Sequence, residues 1–265
     1  MSKYIQLAKA TFQEYLVYRL SFLLWRLRNL LFLLSLYFFW QAILGSKGQI
    51  FGYGKTQMFT YVIGIAFLRS FVFASRSFDF GNQIKSGEIN KLIVSPINVF
   101  GYWFTRDVVD KLLNIFFSIL EVALIIFLVK IPFFVPANMT LIFLSILMAL
   151  LAVLSYFFYS LILSVMAFWT EEIWATRWLF GVILLEFFSG AIFPLDILPK
   201  FLQKIIFITP FPYLLFYPLK IWLGSLSLSE ALRALFISSL WLIFFWFLSA
   251  YLWQRGLRKY GAYGD

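Results

Sequence analysis

Three ionisable residues, Arg69, Glu121 and Glu186, fall inside long apolar runs. A charge in hydrocarbon is costly, so it persists by pairing or by serving a pathway. Two carboxylates across one cavity would carry protons, as in a proton-coupled carrier. Arg69 is placed to neutralise either of them. The plainer expectation puts one carboxylate near an interface and hydrogen-bonds the other to Trp, Tyr or Ser on a neighbouring helix. Other chemistry is sparse. The chain has neither histidine nor cysteine, which removes imidazole bases, thiolate ligands and disulfides. Its serines have no evident base, and no G-x-x-x-x-G-K-[ST] phosphate loop occurs. An enzyme is not expected, nor a catalytic residue, metal or cofactor held by this chain.

The elements that must position these charges are apolar helices. Of 265 residues, 63% are hydrophobic and 13% charged, and the apolar residues come in spans of about 20, the composition of an all-α polytopic membrane protein. The formal charge of +10 is spread between spans rather than gathered in one patch, so it reads as topology signals and not as a nucleic-acid surface.

Six spans are predicted over a single domain, 1–265. The first starts between Leu20 and Asn29 and ends near Leu44, with Arg26 and Arg28 snorkelling to the boundary. The others are Gln57–Ser75, Val108–Val129, a long tilted helix from Met139 to Trp169, Trp178–Phe193, and Ala234–Trp253. Residues 2–20 precede them as an amphipathic interfacial helix, with Tyr4, Ile5, Ala8, Phe12, Tyr15 and Leu16 on one face and Lys3 and Lys9 on the other. With both termini cytosolic, the inner segments hold fourteen Lys and Arg and the outer ones seven, the bias the positive-inside rule requires. Ser227 and Glu230 form a capping box opening the last helix, and residues 254–265 make a basic tail.

Two connecting segments stand out. Residues 76–107 mix charge with an apolar core before Pro96, as a docking loop would. Residues 186–224 hold five of the eight prolines, among them Pro194, Pro199, Pro210 and Pro212, yet stay apolar. No straight helix runs through them, and broken backbone at membrane depth needs protein around it. A re-entrant outer hairpin is therefore predicted, including Asp196. Lys200, Gln203 and Lys204 form its wet side, and Leu198, Leu202 and Ile205 its packed side.

Three stretches resemble the membrane subunits of type-2 ABC exporters, in the group of poorly characterised six-span permeases. They are Lys85-Ser86-Gly87-Glu88-Ile89-Asn90-Lys91-Leu92-Ile93-Val94-Ser95-Pro96; Gly190 to Pro199 with Thr209 to Tyr213; and Gly256 to Tyr260 with Ala262 and Gly264. Val94-Ser95 departs mildly from the usual arginine or leucine before the loop proline.

The resemblance implies a permease moving an amphiphilic, drug-like or lipid-like solute outward through a prokaryotic inner membrane. It implies two copies of a separate ABC ATPase subunit, which bind the ATP and Mg2+, and a second permease, the same chain or a related one, among membrane lipids. Gly87, Glu88, Ile89, Leu92 and Pro96 would form the coupling loop, with Ile89, Leu92 and Ile93 as its apolar contact and Glu88 or Leu92 as uncoupling positions. Two other classes stay open: a proton-coupled carrier using Glu121 and Glu186, and a non-transporting scaffold.

Overall fold

The computed structural model describes residues 3–45, 48–170 and 172–261. Ala262 and Gly264 of the tail motif lie outside them. The described chain is nearly all helix. α1 (Lys3–Val17) breaks at Tyr18 into α2 (Arg19–Leu44); a two-stranded antiparallel turn, β1 (Gln49–Ile50) and β2 (Tyr53–Gly54), leads to α3 (Lys55–Val72). After a break come α4 (Ser77–Ser86), α5 (Ile89–Ile93), α6 (Val99–Val129) and α7 (Met139–Val165). Next lie α8 (Ile173–Trp178), a π-helical segment (Leu179–Ile183) and α9 (Leu184–Phe188). α10 (Lys200–Ile208), α11 (Phe216–Trp222) and α12 (Leu228–Gly261) complete the chain.

Local chemistry sets these boundaries. Asn98 and Asn138 accept the free N–H groups of Gly101 and Thr140, both at 2.9 Å, where α6 and α7 open. At the start of α12 the Ser227 N–H donates to Glu230 at 2.8 Å, and the Glu230 N–H returns to the Ser227 hydroxyl at 3.3 Å, the reciprocal bonds of the expected capping box. α6 opens at Val99, so the polar loop is shorter than residues 76–107 suggested. The basic tail, as far as it is described, continues α12.

Among the described residues, five helical runs are long and apolar enough to cross a membrane: Arg19–Leu44, Lys55–Ser86, Val99–Val129, Met139–Phe168 and Leu228–Tyr260. Leu112, Phe116, Leu120, Leu124 and Phe127 of α6, and Phe236, Leu240, Phe244 and Phe247 of α12, are exposed. Apolar stripes of this extent are lipid-facing surface, and the chain is an integral membrane protein. The expected fifth span, Trp178–Phe193, is displaced. The helical path there runs from Ile173 to Phe188, about 24 Å at 1.5 Å per residue, and falls short of the ~30 Å hydrocarbon core.

α7 and α12 pack along their lengths, and at one end Gly256 admits the Phe168 ring: a Cβ there would lie 2.1 Å from it. The same end gathers Phe80, Ile84, Ile89, Leu92, Trp103, Phe157, Leu161, Val165, Phe168 and Trp253 into one buried cluster. α4 and α5 are therefore built into the core at the end where α1 and the close of α12 also lie.

The proline-rich stretch occupies the other end and is broken as expected. Its backbone is protected by side chains of other helices. Tyr61 donates to the Gly190 carbonyl at 2.8 Å and Trp40 to that of Ile192 at 3.3 Å. In return Trp222, within the stretch, donates to the carbonyl of Phe134 outside it at 3.0 Å. Asp196 accepts from Tyr53 and from Lys220, each at 2.9 Å, and burial together with the Asp196 charge pushes the Tyr53 phenol upward. Pro199 and Pro210 stand immediately before helical turns, where a missing N–H costs nothing. Pro194 is extended, and Pro194, Pro212 and Pro218 are all buried.

One helix face differs from expectation. Gln203 donates to the carbonyls of Asp196 at 2.9 Å and Leu198 at 2.7 Å instead of facing water. Ile206 is the buried residue of α10, and Ile205 is exposed beside Phe201 and Ile208. The reason is the chain's own turn: Gln203 is needed to satisfy two carbonyls that the prolines leave open.

Candidate functional site

Arg69, Glu186, Arg26 and Glu121 are paired inside the membrane. Arg69 donates its Nε to Glu186 at 2.8 Å and its guanidinium lies over the Phe32 ring at 4.0 Å. Arg26 holds Glu121 through two nitrogens, Nε at 2.7 Å, and donates to Asn114 at 3.0 Å. Arg26 is buried and does not snorkel as expected: a carboxylate one helix away is a better partner than a longer reach to the interface. Each glutamate thus has its own arginine, and the two are not brought to one cavity.

Glu186 and Arg69 line a cavity of about 630 Å³; Glu121 does not. Its walls are the ends of α1 and α3, α2, the base of α4, Asp110 and Asn114 of α6, and the segment from Trp178 to Glu186, with Tyr156 of α7 behind. Tyr15, Phe22, Trp25, Phe73, Phe78 and Trp178 make it strongly aromatic, and Arg28, Arg76, Asp79 and Asp110 charge it. The π-helical segment supplies Gly181 and Val182, and the carbonyl of Phe180 accepts from Tyr159 at 2.9 Å. Such segments lose the regular i to i+4 ladder and recur at functional sites. A second space of about 670 Å³ is an apolar groove between α3, α6, α7 and α11.

The cavity reaches the base of α4, whose orientation is set by a buried lysine. Lys111 of α6 donates to the carbonyls of Phe71 at 3.0 Å, Val72 at 3.3 Å and Ala74, the open end of α3. It also pairs at 3.3 Å with Asp107, whose oxygens are buried without another partner. Serines then tie α4 to α7: Ser77 donates to Ser160 and Ser164 to the Ser77 carbonyl, both at 2.6 Å. Arg177 of α8 donates to the carbonyl of Phe78.

At the far end of α4 the chain turns at Gly87, whose φ of +77° is left-handed and favours glycine. α5 follows. Ile89 and Leu92 point into the chain's own core, which corrects the expectation that they form an outward apolar contact. They hold the hairpin in place. The surface it presents is Lys85, Glu88, Lys91, Ile93, Val94 and Pro96, all exposed, with Val94 at 83%.

Sequence reasoning found Arg69, Glu186 and the loop but missed Lys111, Asp107, Arg26 as a partner, and the cavity's α1 and α2 residues. Asp107/Lys111 and Asp110/Asn114 are i, i+4 pairs that place four polar side chains on a helix running into hydrocarbon. That spacing was the available signal.

A family model described as ABC-2 family transporter protein matches residues 30–264. Comparison with curated proteins gives no match.

Proposed function

The chain belongs to the ABC-2 family of transporter proteins, and from that premise we propose that it forms half of the pathway of an ATP-driven exporter. The solute is amphiphilic, drug-like or lipid-like, and a separate ABC ATPase subunit, present in two copies, binds ATP and Mg2+. A second permease, identical or related, completes the pathway. The observation that carries this reading is that α4 serves two places. Phe78 and Asp79 at its base line the cavity, and its other end carries the exposed hairpin of Glu88, Lys91, Val94 and Pro96. A helix shared by cavity and hairpin transmits displacement from one to the other, because packed helices move as rigid bodies.

In this reading the helical path 173–188 is a sixth, short crossing, and residues 186–224, from its last turn onward, are an outer re-entrant hairpin acting as a lid. The termini and the loop are then cytosolic, in a prokaryotic inner membrane. Val94→Asp or Glu88→Arg is expected to abolish stimulation of the partner ATPase by transport substrate while protein yield stays unchanged. Loss of yield in step with loss of stimulation would instead give the hairpin a folding role alone. Cysteine placed at Lys200 is expected to react with a hydrophilic thiol reagent in intact cells. Reaction only after permeabilisation would reverse the orientation.

A further inference from the structure

The carboxylates around the 630 Å³ cavity are engaged. Glu186 is held by Arg69, Glu14 by Arg106 at 2.6 Å and Arg76 at 3.5 Å, and Asp79 by Arg76 at 3.9 Å. Asp110 accepts from Tyr15 and from Asn114. Arg28 is different. Among the described residues it has neither a carboxylate nor a hydrogen-bond partner, and its guanidinium lies 3.9 Å above the Trp25 ring. Stacking uses the face of the guanidinium and leaves its fork of N–H donors open along the edge, the geometry that receives an oxyanion bidentately. Of the charges that act on Arg28, Arg69 repels it and Glu186 attracts it, and those two are already bonded to each other.

The walls supply the other half of a ligand. Phe22, Phe73, Tyr156 and Trp178 line the same space. Trp25 and Trp178, which flank it on α2 and α8, are 57% and 50% exposed. We propose that the cavity takes the anionic headgroup of an amphiphile at Arg28, with its apolar tail along these aromatic rings, entering sideways from the membrane leaflet nearest the coupling hairpin. This rests on the reading of the chain as a transporter and names its substrate class. One feature favours a cation instead: Glu186 Oε2 is buried without a partner. It neighbours Arg69 and Arg28, whose charges oppose a second positive group there.

The experiment is a fluorescence-polarisation titration of the purified full chain in neutral detergent. The probes are dansyl-undecanoic acid, a trimethylammonium analogue of the same length, and the short anion dansylglycine. Saturable binding of the carboxylate amphiphile is expected, weakened about tenfold or more by Arg28→Met and by Arg28→Gln, as loss of a charge-assisted contact requires. Arg28→Lys should retain part of it, and Lys204→Met on α10 should change nothing. Equal or tighter binding of the trimethylammonium probe would overturn the proposal, as would unchanged affinity in both charge-removing variants with an unshifted melting temperature. Equal affinity for dansylglycine would reassign the site to a small soluble anion and overturn the amphiphile. Binding is read without an ATPase present, so it stands or falls separately from coupling to a partner subunit.

Discussion

Lys111→Met is expected to destabilise the protein by about 3–5 kcal/mol, because a buried ion pair that loses one member leaves the other charge uncompensated. Lys111 sits between Asp107, fully buried at 0% exposure, and the carbonyls ending α3. Both requirements fail together. Adding Asp107→Leu should recover the part due to the stranded carboxylate and leave the part due to the uncapped helix end. The difference between single and double variants, read from thermal unfolding in detergent, separates the two terms. A double variant no better than the single would mean that Asp107 is satisfied without Lys111. The consequence extends past stability: the break after α3 directs α4, so the surviving folded fraction of the single variant should also couple poorly.

Arg26→Met is expected to destabilise by about 2.5–3.5 kcal/mol, the insertion cost of a lone acid near a helix centre. Its two-nitrogen grip on Glu121 and its bond to Asn114 join α2 to α6. Arg26→Met with Glu121→Leu should regain most of the loss, since a buried pair replaced by apolar residues is often neutral. Folded protein recovered from membranes, and its melting temperature, measure this. A proton-coupled role for Glu121 would show differently: the double variant would fold and fail to transport.

The sequence disclosed the class of architecture because membrane helices declare themselves locally. A run of apolar residues reports its own length, and Asn98, Asn138 and Ser227-x-x-Glu230 mark helix starts by short-range bonds. The proline-rich break was legible for the same reason, since proline acts on the turn that contains it. What stayed hidden was pairing between elements. Arg26 finds Glu121 across 95 residues and Arg69 finds Glu186 across 117, and no local rule ranks one partner above another. The sequence offers Arg69 equally to Glu121 and Glu186 and sends Arg26 to the interface, whereas Arg26 is the partner of Glu121.

The direction of a short helix's faces was equally illegible. Ile89 and Leu92 look like a contact surface when read alone, yet they close a core with Phe168 and Trp253 from distant helices. The same is true of Gln203, which turns inward to satisfy carbonyls opened by neighbouring prolines. The cavity has no sequence signature at all, being assembled from α1, α2, α3, α4, α6, α7 and the path from α8 through the π-helical segment to α9.

The hairpin at Val94 bears the central claim, that a separate ATPase docks where α4 and α5 meet. A benzophenone amino acid at Val94, photoactivated in native membranes, is expected to crosslink to a nucleotide-binding ATPase subunit, with a yield that changes when ATP is added. The same group at Lys200 should give no such product. Crosslinking to an ATPase from Lys200 and not from Val94, or none from either site in membranes that still transport, would contradict it.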